Sequence, residues 1–304
     1  MRPVRTLAAA LAESTVVLDG GLSNQLEAQG CDLSDALWSA RLLADDPQQI
    51  VAAHTAYVRA GAQVLITASY QATFEGFARR GAGRAEAAGL LARSVRLARE
   101  AAGTVDHEVW VAASVGPYGA MLADGSEYRG RYGLTVRELE RFHRPRIEAL
   151  AAADPDVLAL ETVPDTDEAE ALLRAAAGCG KPVWLSYSVT GERTRAGQPL
   201  AEAFALAADR DQVVAVGVNC CASGDVDRAV ELASSATGKP VVVYPNSGEE
   251  WDAERRGWRG RSTFAAAKVE GWEEAGARLV GGCCRVGPEE IADLARLRNP
   301  PRRP

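Results

Sequence analysis

Four of the six cysteines in this 304-residue chain stand in adjacent pairs. Cys283-Cys284 follows the run Ala277-Arg-Leu-Val-Gly-Gly, and Cys220-Cys221 follows Val213-Val-Ala-Val-Gly-Val-Asn. Each pair therefore stands where an apolar, β-branched run gives way to a loop. Thiolates gathered at strand ends suit a soft, redox-inert cation such as Zn2+. Three protein sulfurs would leave one tetrahedral position open for a substrate sulfur. The competing reading is that the pairs are small buried hydrophobes, and no Cys-x-x-Cys spacing decides between the two.

Those sulfurs need a scaffold, and the composition is that of an enzyme. With 47% hydrophobic and 25% charged residues the chain can bury a full core. Six cysteines are too few for a disulfide framework, so metal binding or reactivity in a reducing, cytoplasmic setting is expected. A net charge of -7 disfavours a nucleic-acid partner, which would want a basic face. No segment approaches the ~20 apolar residues of a membrane span. The opening stretch, residues 1–14, has two arginines and a short apolar run, but it ends in Glu13 and leads directly into Val16-Val-Leu-Asp; it reads as an N-terminal segment and not as a leader. Residues 298–304, rich in Pro and Arg, read as a disordered tail.

Between these ends, residues 15–297 alternate strand and helix patterns as one domain. The strand candidates begin at Val16, Val64, Val109, Val157, Val183, Val213, Val241 and Arg278, with Ala/Leu/Arg-rich helical stretches between them. Continuous apolar strands alternating with helices imply a parallel sheet covered on its outer side. Eight such units predict a single-domain α/β fold, a (β/α)8 TIM barrel, whose usual length is about 250 residues. A doubly wound open sheet is the runner-up, weakened by the lack of a Gly-x-Gly-x-x-Gly turn after the first strand and of any Walker sequence. None of the three histidines falls near the C-terminal end of a strand, which disfavours a histidine-rich metal site; His54 reads as a helix-face residue.

On such a barrel the polar residues collect at the C-terminal ends of the strands, the catalytic face of the fold. Asp19, Thr67 to Tyr70, Ser114, Glu161-Thr162, Ser186 to Ser188, Asn219-Cys220, Asn246-Ser247 and Cys283-Cys284 all stand there. Asp19 and Glu161 could anchor a substrate ammonium, or could simply cap the helices that follow them. The long Gly/Tyr-rich segment 116–130 after the third strand reads as a functional loop or a disordered insertion.

Several of these blocks together resemble the homocysteine S-methyltransferase family. They are Asp19-Gly-Gly, Ile66-Thr-Ala-Ser-Tyr-Gln-Ala-Thr, Ser114-Val-Gly-Pro-Tyr-Gly-Ala, Asp124-Gly-Ser-Glu-Tyr-Arg-Gly and Phe142-His-Arg-Pro-Arg. Glu161-Thr, Gly217-Val-Asn-Cys, Val243-Tyr-Pro-Asn-Ser-Gly-Glu and Gly281-Gly-Cys-Cys-Arg complete the set. The likeness is closest to the stand-alone bacterial branch that takes its methyl group from S-methylmethionine or S-adenosylmethionine. It implies a barrel fold, a Zn2+ held by Cys220, Cys283 and Cys284, and homocysteine as the methyl acceptor and fourth sulfur. It further implies that Asp19 and Glu161 hold the homocysteine amino group and that backbone around Ala68 and Ser69 holds its carboxylate. Asn219 precedes the first ligand, as the family motif has it.

Cys221 departs from that pattern. Successive strand residues point to opposite faces, so Cys220 and Cys221 cannot both enter a site without a bulge, and Cys221 reads as a packing residue. For Cys283 and Cys284 the glycine pair before them is expected to let the chain turn so that both sulfurs reach the ion. A sulfonium donor leaves as a neutral thioether, so direct displacement needs no general acid. Tyr118, Tyr128 or Trp38 could face its charge by cation–π attraction, or pack in the core or a lid. Two rivals remain: a thiolate-zinc barrel that binds a thiol or selenol compound without turnover, and a betaine-dependent methyltransferase. The absence of an Asp-x-His-x-x-Gly signature argues against a cobalamin-dependent relative.

Overall fold

The computed structural model describes residues 2–35, 37–252, 257–259, 262–264 and 266–298. Residues 299–304, most of the expected disordered tail, lie outside them. Eight parallel strands form the barrel: β1 (Val16–Val17), β2 (Val64–Ile66), β3 (Trp110–Val115), β4 (Val157–Val163), β5 (Val183–Tyr187), β6 (Val213–Asn219), β7 (Val241–Tyr244) and β8 (Ala277–Val280). Each pairs with its chain neighbours. β8 returns to β1 through Val16↔Leu279 and Val17↔Val280, and a bridge between Leu18 and Val64 joins β1 to β2. The sheet therefore closes, which excludes the open doubly wound alternative.

Among the described residues, the helices that cover the ring, with shorter ones between some of them, are α1 (Pro47–Arg59), α2 (Arg84–Ala102), α3 (Val136–Ala152), α4 (Thr166–Ala176), α5 (Leu200–Ala205), α6 (Val226–Thr237), α7 (Val269–Glu274) and α8 (Pro288–Arg298). Their starts are chemically marked. Proline opens α1, a Thr135/Glu138 capping box opens α3, and the Asp165 side chain caps α4 by accepting from the Glu168 N–H. In α2 the buried residues Ala87, Leu91, Ser94, Ala98 and Ala101 recur at three- and four-residue spacing, which gives the helix one face to set against the strands.

Strand alternation divides the apolar residues into two layers. One lies between sheet and helices and includes Leu65, Val111, Leu158, Leu185, Val216 and Val243. The other fills the barrel with Leu18, Trp110, Ala112, Ala159, Trp184, Ala215, Val242 and Leu279. Leu7, Ala10 and Leu11 join this inner layer. They belong to a short helix, Leu7–Glu13, capped by Thr6 and tied to the barrel by the bond from Trp110 Nε1 to the Arg5 carbonyl at 3.0 Å. The opening apolar run is thus part of the core. No described helix is long and apolar enough to cross a membrane.

Candidate functional site

After β8 the chain passes over the end of β1 through Gly281 and Gly282. A Cβ on Gly281 would stand 2.5 Å from the Leu18 Cβ, and one on Gly282 would stand 2.1 Å from a Val286 side-chain carbon. These positions are glycine because of crowding, and neither has a positive φ. The expected turn instead comes after the cysteines, at Arg285 with φ 65°. The Asp19-Gly-Gly motif seats this segment: Gly282 N donates to the Asp19 carbonyl at 3.1 Å and Gly21 N donates to the Val286 carbonyl at 2.9 Å. The Tyr57 hydroxyl is shared between the Gly21 and Val286 carbonyls at 3.0 and 3.1 Å. From β7, the Pro245 carbonyl accepts from Cys283 N at 2.8 Å and Asn246 Oδ1 accepts from Cys284 N at 3.1 Å. Both thiols are thereby fixed at the barrel mouth.

Cys220 arrives from β6. It has φ 50°, and its N–H donates to the Tyr244 carbonyl at 3.1 Å. This left-handed residue breaks the alternation that would set Cys220 on the side of Val218, and sends the two neighbouring side chains to different surroundings. Cys220 joins Cys283 and Cys284, whereas Cys221 is fully buried in the outer apolar layer, where burial pushes its thiol up. The three sulfurs of Cys220, Cys283 and Cys284 lie within 4.8 Å of one another, with Cys220 and Cys284 3.7 Å apart. Sulfurs about 2.3 Å from a tetrahedral Zn2+ would be about 3.8 Å from each other. Spacing and donor chemistry therefore both fit such an ion. Hydrogen bonds from Cys283 and Cys284 hold the Cys220 thiol well below its ordinary value.

Glu161 shares a cavity with the three sulfurs, Asp19 stands next to Gly20 of its wall, and neither carboxylate caps a helix. Glu161 lines the cavity with the three cysteines, together with Trp38, Thr67, Ala68, Ser114, Tyr128 and Tyr244. Its Oε1 accepts from Ser114 Oγ and its Oε2 from the Tyr244 hydroxyl at 3.0 Å. Burial pushes its carboxyl up to about 7, against the pull of those two hydrogen bonds. Asp19 lies just behind the cavity wall. Its Oδ2 accepts from Ile66 N at 2.9 Å, while its Oδ1 is buried with no hydrogen-bond partner. Burial, with the Glu161 charge adding to it, raises Asp19 well above the usual carboxylate range. A buried carboxylate oxygen without a partner is costly unless a cation or a proton satisfies it.

Ser69 and Asn219 are engaged within the protein. Ser69 Oγ donates to the Ser114 carbonyl at 2.8 Å and sits 2.7 Å from Thr67 Oγ1, bracing the end of β2 against β3. Asn219 Oδ1 accepts from Thr162 N and Ser186 Oγ, and its Nδ2 donates to Thr162 Oγ1, all at 2.7 Å. That grip holds Thr162 at φ 59°, where β4 slips register against β5 beside Glu161. Sequence reasoning missed Tyr244, which bonds Glu161 and accepts from Trp184 Nε1 at 3.1 Å. Its place at the end of β7, level with the other polar strand ends, was the available signal. Of the three aromatic candidates, Trp38 and Tyr128 line the cavity. Tyr118 packs against Tyr132 and Phe142, with ring centroids 5.2 and 4.8 Å away.

Comparison with known proteins agrees with this geometry. The family model described as homocysteine S-methyltransferase matches residues 16–297. Homocysteine S-methyltransferase YbgG of Bacillus subtilis is 44% identical over 297 residues, covering 92% of this chain and 93% of its own. The Escherichia coli homocysteine S-methyltransferase is 45% identical, covering 93% and 94%. The crystal structure of the Escherichia coli homocysteine methyltransferase MmuM in its metallated form superposes with a TM-score of 0.86 at 44% identity, covering 95% of this chain and 98% of that one. Carboxyl transferase domains at 14% identity share the barrel fold alone. The closed barrel, the sulfur cluster at its mouth and a match running nearly end to end place this chain in the homocysteine S-methyltransferase family.

Proposed function

We propose that this protein transfers a methyl group from a sulfonium donor, S-methylmethionine or S-adenosylmethionine, to the sulfur of L-homocysteine, giving methionine. Cys220, Cys283 and Cys284 would hold a Zn2+. The observation that carries the reading is the triad of sulfurs beside two buried carboxylates at the barrel mouth. When bound, the ion would let the acceptor thiol stand as a thiolate near neutral pH, where a free thiol with a pKa of about 8.5 is mostly protonated. Glu161 and Asp19 would take the homocysteine ammonium, and the backbone around Ala68 and Ser69 its carboxylate. The acceptor sulfur then points toward the cysteines.

In the transfer a bond forms between the homocysteine sulfur and the methyl carbon as the bond from that carbon to the positive sulfur breaks. The donor leaves as a neutral thioether, and the thiol proton has already gone to solvent. No side chain needs to give or take a proton in that step. The protein's contribution is alignment, worth about 7–11 kcal/mol in favourable cases, and the rings of Trp38 and Tyr128 would face the sulfonium charge. The test is metal analysis followed by homocysteine titration in buffers of different ionisation enthalpy. Zinc in proportion to chains, and proton release on homocysteine binding, are expected. Binding without proton release would overturn the thiolate reading.

A further inference from the structure

A buried polar cluster outside the cavity takes no part in the chemistry above. His143 and Arg146 lie one turn apart on α3, near Pro145, and Glu168 lies in the first turn of α4. All three are at most 1% exposed. Arg146 Nη2 meets His143 Nδ1 at 2.7 Å. A guanidinium can only donate, so Nδ1 accepts, and the ring proton sits on Nε2 and is donated to Glu168 Oε1 at 2.8 Å. Burial pushes the Glu168 carboxyl up to about 8 and the Arg146 guanidinium down to about 10. Removing such groups from water is costly, and apolar residues would pack two helices without that cost.

The other bonds of this cluster all go to one loop. Arg146 Nη2 also donates to the Gly116 carbonyl, and Glu168 Oε1 also accepts from Tyr118 N at 2.5 Å. Asp165, the cap of α4, accepts from Arg131 N through Oδ2 at 2.8 Å. Gly130 has φ 65°, and a Cβ there would stand 2.5 Å from that same oxygen, so the close approach requires glycine. Both ends of segment 116–131 are thus held to α3 and α4. Between them lies Tyr128, with its hydroxyl 3.1 Å from Cys220 Sγ and its ring 5.6 Å from the Arg195 guanidinium carbon. Tyr128 is 38% exposed, at the rim of the cavity, whereas Asp19 and Glu161 are at most 5% exposed.

We propose that His143, Arg146 and Glu168, with Asp165, are positioning residues: they clamp the loop 116–131 so that Tyr128 stands over the Cys220 sulfur at the rim where the methyl donor enters. The inference rests on the function proposed above for the donor, while the clamp itself can be tested without turnover. The variants are Arg146→Met, Glu168→Leu, Glu168→Gln and Asp165→Asn. In Glu168→Gln the amide oxygen can still accept from His143 and Tyr118. Asp165→Asn keeps a good helix cap but leaves no acceptor for Arg131 N. Hydrogen–deuterium exchange should quicken in 116–131 for Arg146→Met, Glu168→Leu and Asp165→Asn, with the barrel strands unchanged, and should stay slow for Glu168→Gln.

Donor KM should rise about 2- to 30-fold in the three disruptive variants, with metal content and homocysteine affinity retained. Adding Tyr128→Phe to Arg146→Met should then raise it little further, because one acts through the other. Unchanged exchange in 116–131, faster exchange throughout the barrel, or fully additive effects with Tyr128→Phe would overturn the proposal. If Arg146→Met does not fold, Asp165→Asn and Glu168→Gln decide between the same outcomes. If the unaltered protein transfers no methyl group at all, the functional reading fails and exchange alone judges the clamp.

Discussion

Replacing Glu161 by glutamine removes a charge from the cavity wall while the wall itself can adapt. Glu161 accepts from Ser114 Oγ and from the Tyr244 hydroxyl, and Tyr244 lies 2.8 Å from Ser186 Oγ, which reaches Asn219 Oδ1. Facing an amide NH2, Tyr244 can turn its proton to Ser186, and Ser186 can donate to Asn219, so no buried donor is stranded. What is lost is one charge-assisted hydrogen bond to the homocysteine ammonium, worth about 1.5–3 kcal/mol. At about 1.4 kcal/mol per decade this weakens homocysteine binding by roughly 10- to 150-fold. The assay is calorimetric titration of the metal-loaded protein above the pH of about 7 to which burial pushes Glu161, where the unaltered carboxyl is ionised. Metal content should be unchanged and donor KM should move little. Homocysteine affinity within twofold of the unaltered protein would take the ammonium away from Glu161.

Other substitutions probe the neighbouring parts. Cys283→Ser should lose both metal and activity and Cys221→Ser should keep both, as read by metal analysis and turnover; the opposite pattern would displace the ligand assignment. Asp19→Asn should raise the homocysteine requirement more than it lowers metal content, because the amide oxygen would take the Ile66 N–H and turn its NH2 toward the ammonium. A Cβ on Gly20 would come within 2.2 Å of the Val286 carbonyl oxygen, so Gly20→Ala should destabilise the fold by about 1–3 kcal/mol and weaken metal binding through the 283–286 turn, read by denaturant melts and metal titration. Glu168 has its folded pKa raised to about 8 from 4.5, so the folded state binds the extra proton between those values. This contribution to stability is present at low pH and is lost as pH rises from about 4.5 to 8. Glu168→Gln should flatten the decline in urea-melt stability across that window, and an unchanged slope would count against the carboxyl.

The barrel was legible because each strand announces itself: eight Val- or Leu-bearing runs, each ending in polar residues, leave little else the pattern can be. That Cys220 and Cys221 would part was readable, but which of the two faces the site was not, because a left-handed Cys220 overrides the alternation of β6. Less visible was the reason for Gly281-Gly282, which lies in what crosses them and not in their own torsions. The helix Leu7–Glu13 hid as well, because a short apolar run carries no mark of the barrel end it covers. The partners of Tyr244 and the His143–Arg146–Glu168 cluster were out of reach for a related reason. Their bonds join residues far apart in the chain, and a hydrogen bond between distant strands or helices leaves no local period to read.

Methyl transfer from a sulfonium donor to homocysteine leaves methionine as its product. The most direct test supplies the zinc-loaded protein with homocysteine and, in separate reactions, S-methylmethionine, S-adenosylmethionine or betaine, and quantifies methionine. Methionine from one or both sulfonium donors and none from betaine is the predicted result. Methionine from betaine alone, or from no donor with zinc fully bound, would contradict it.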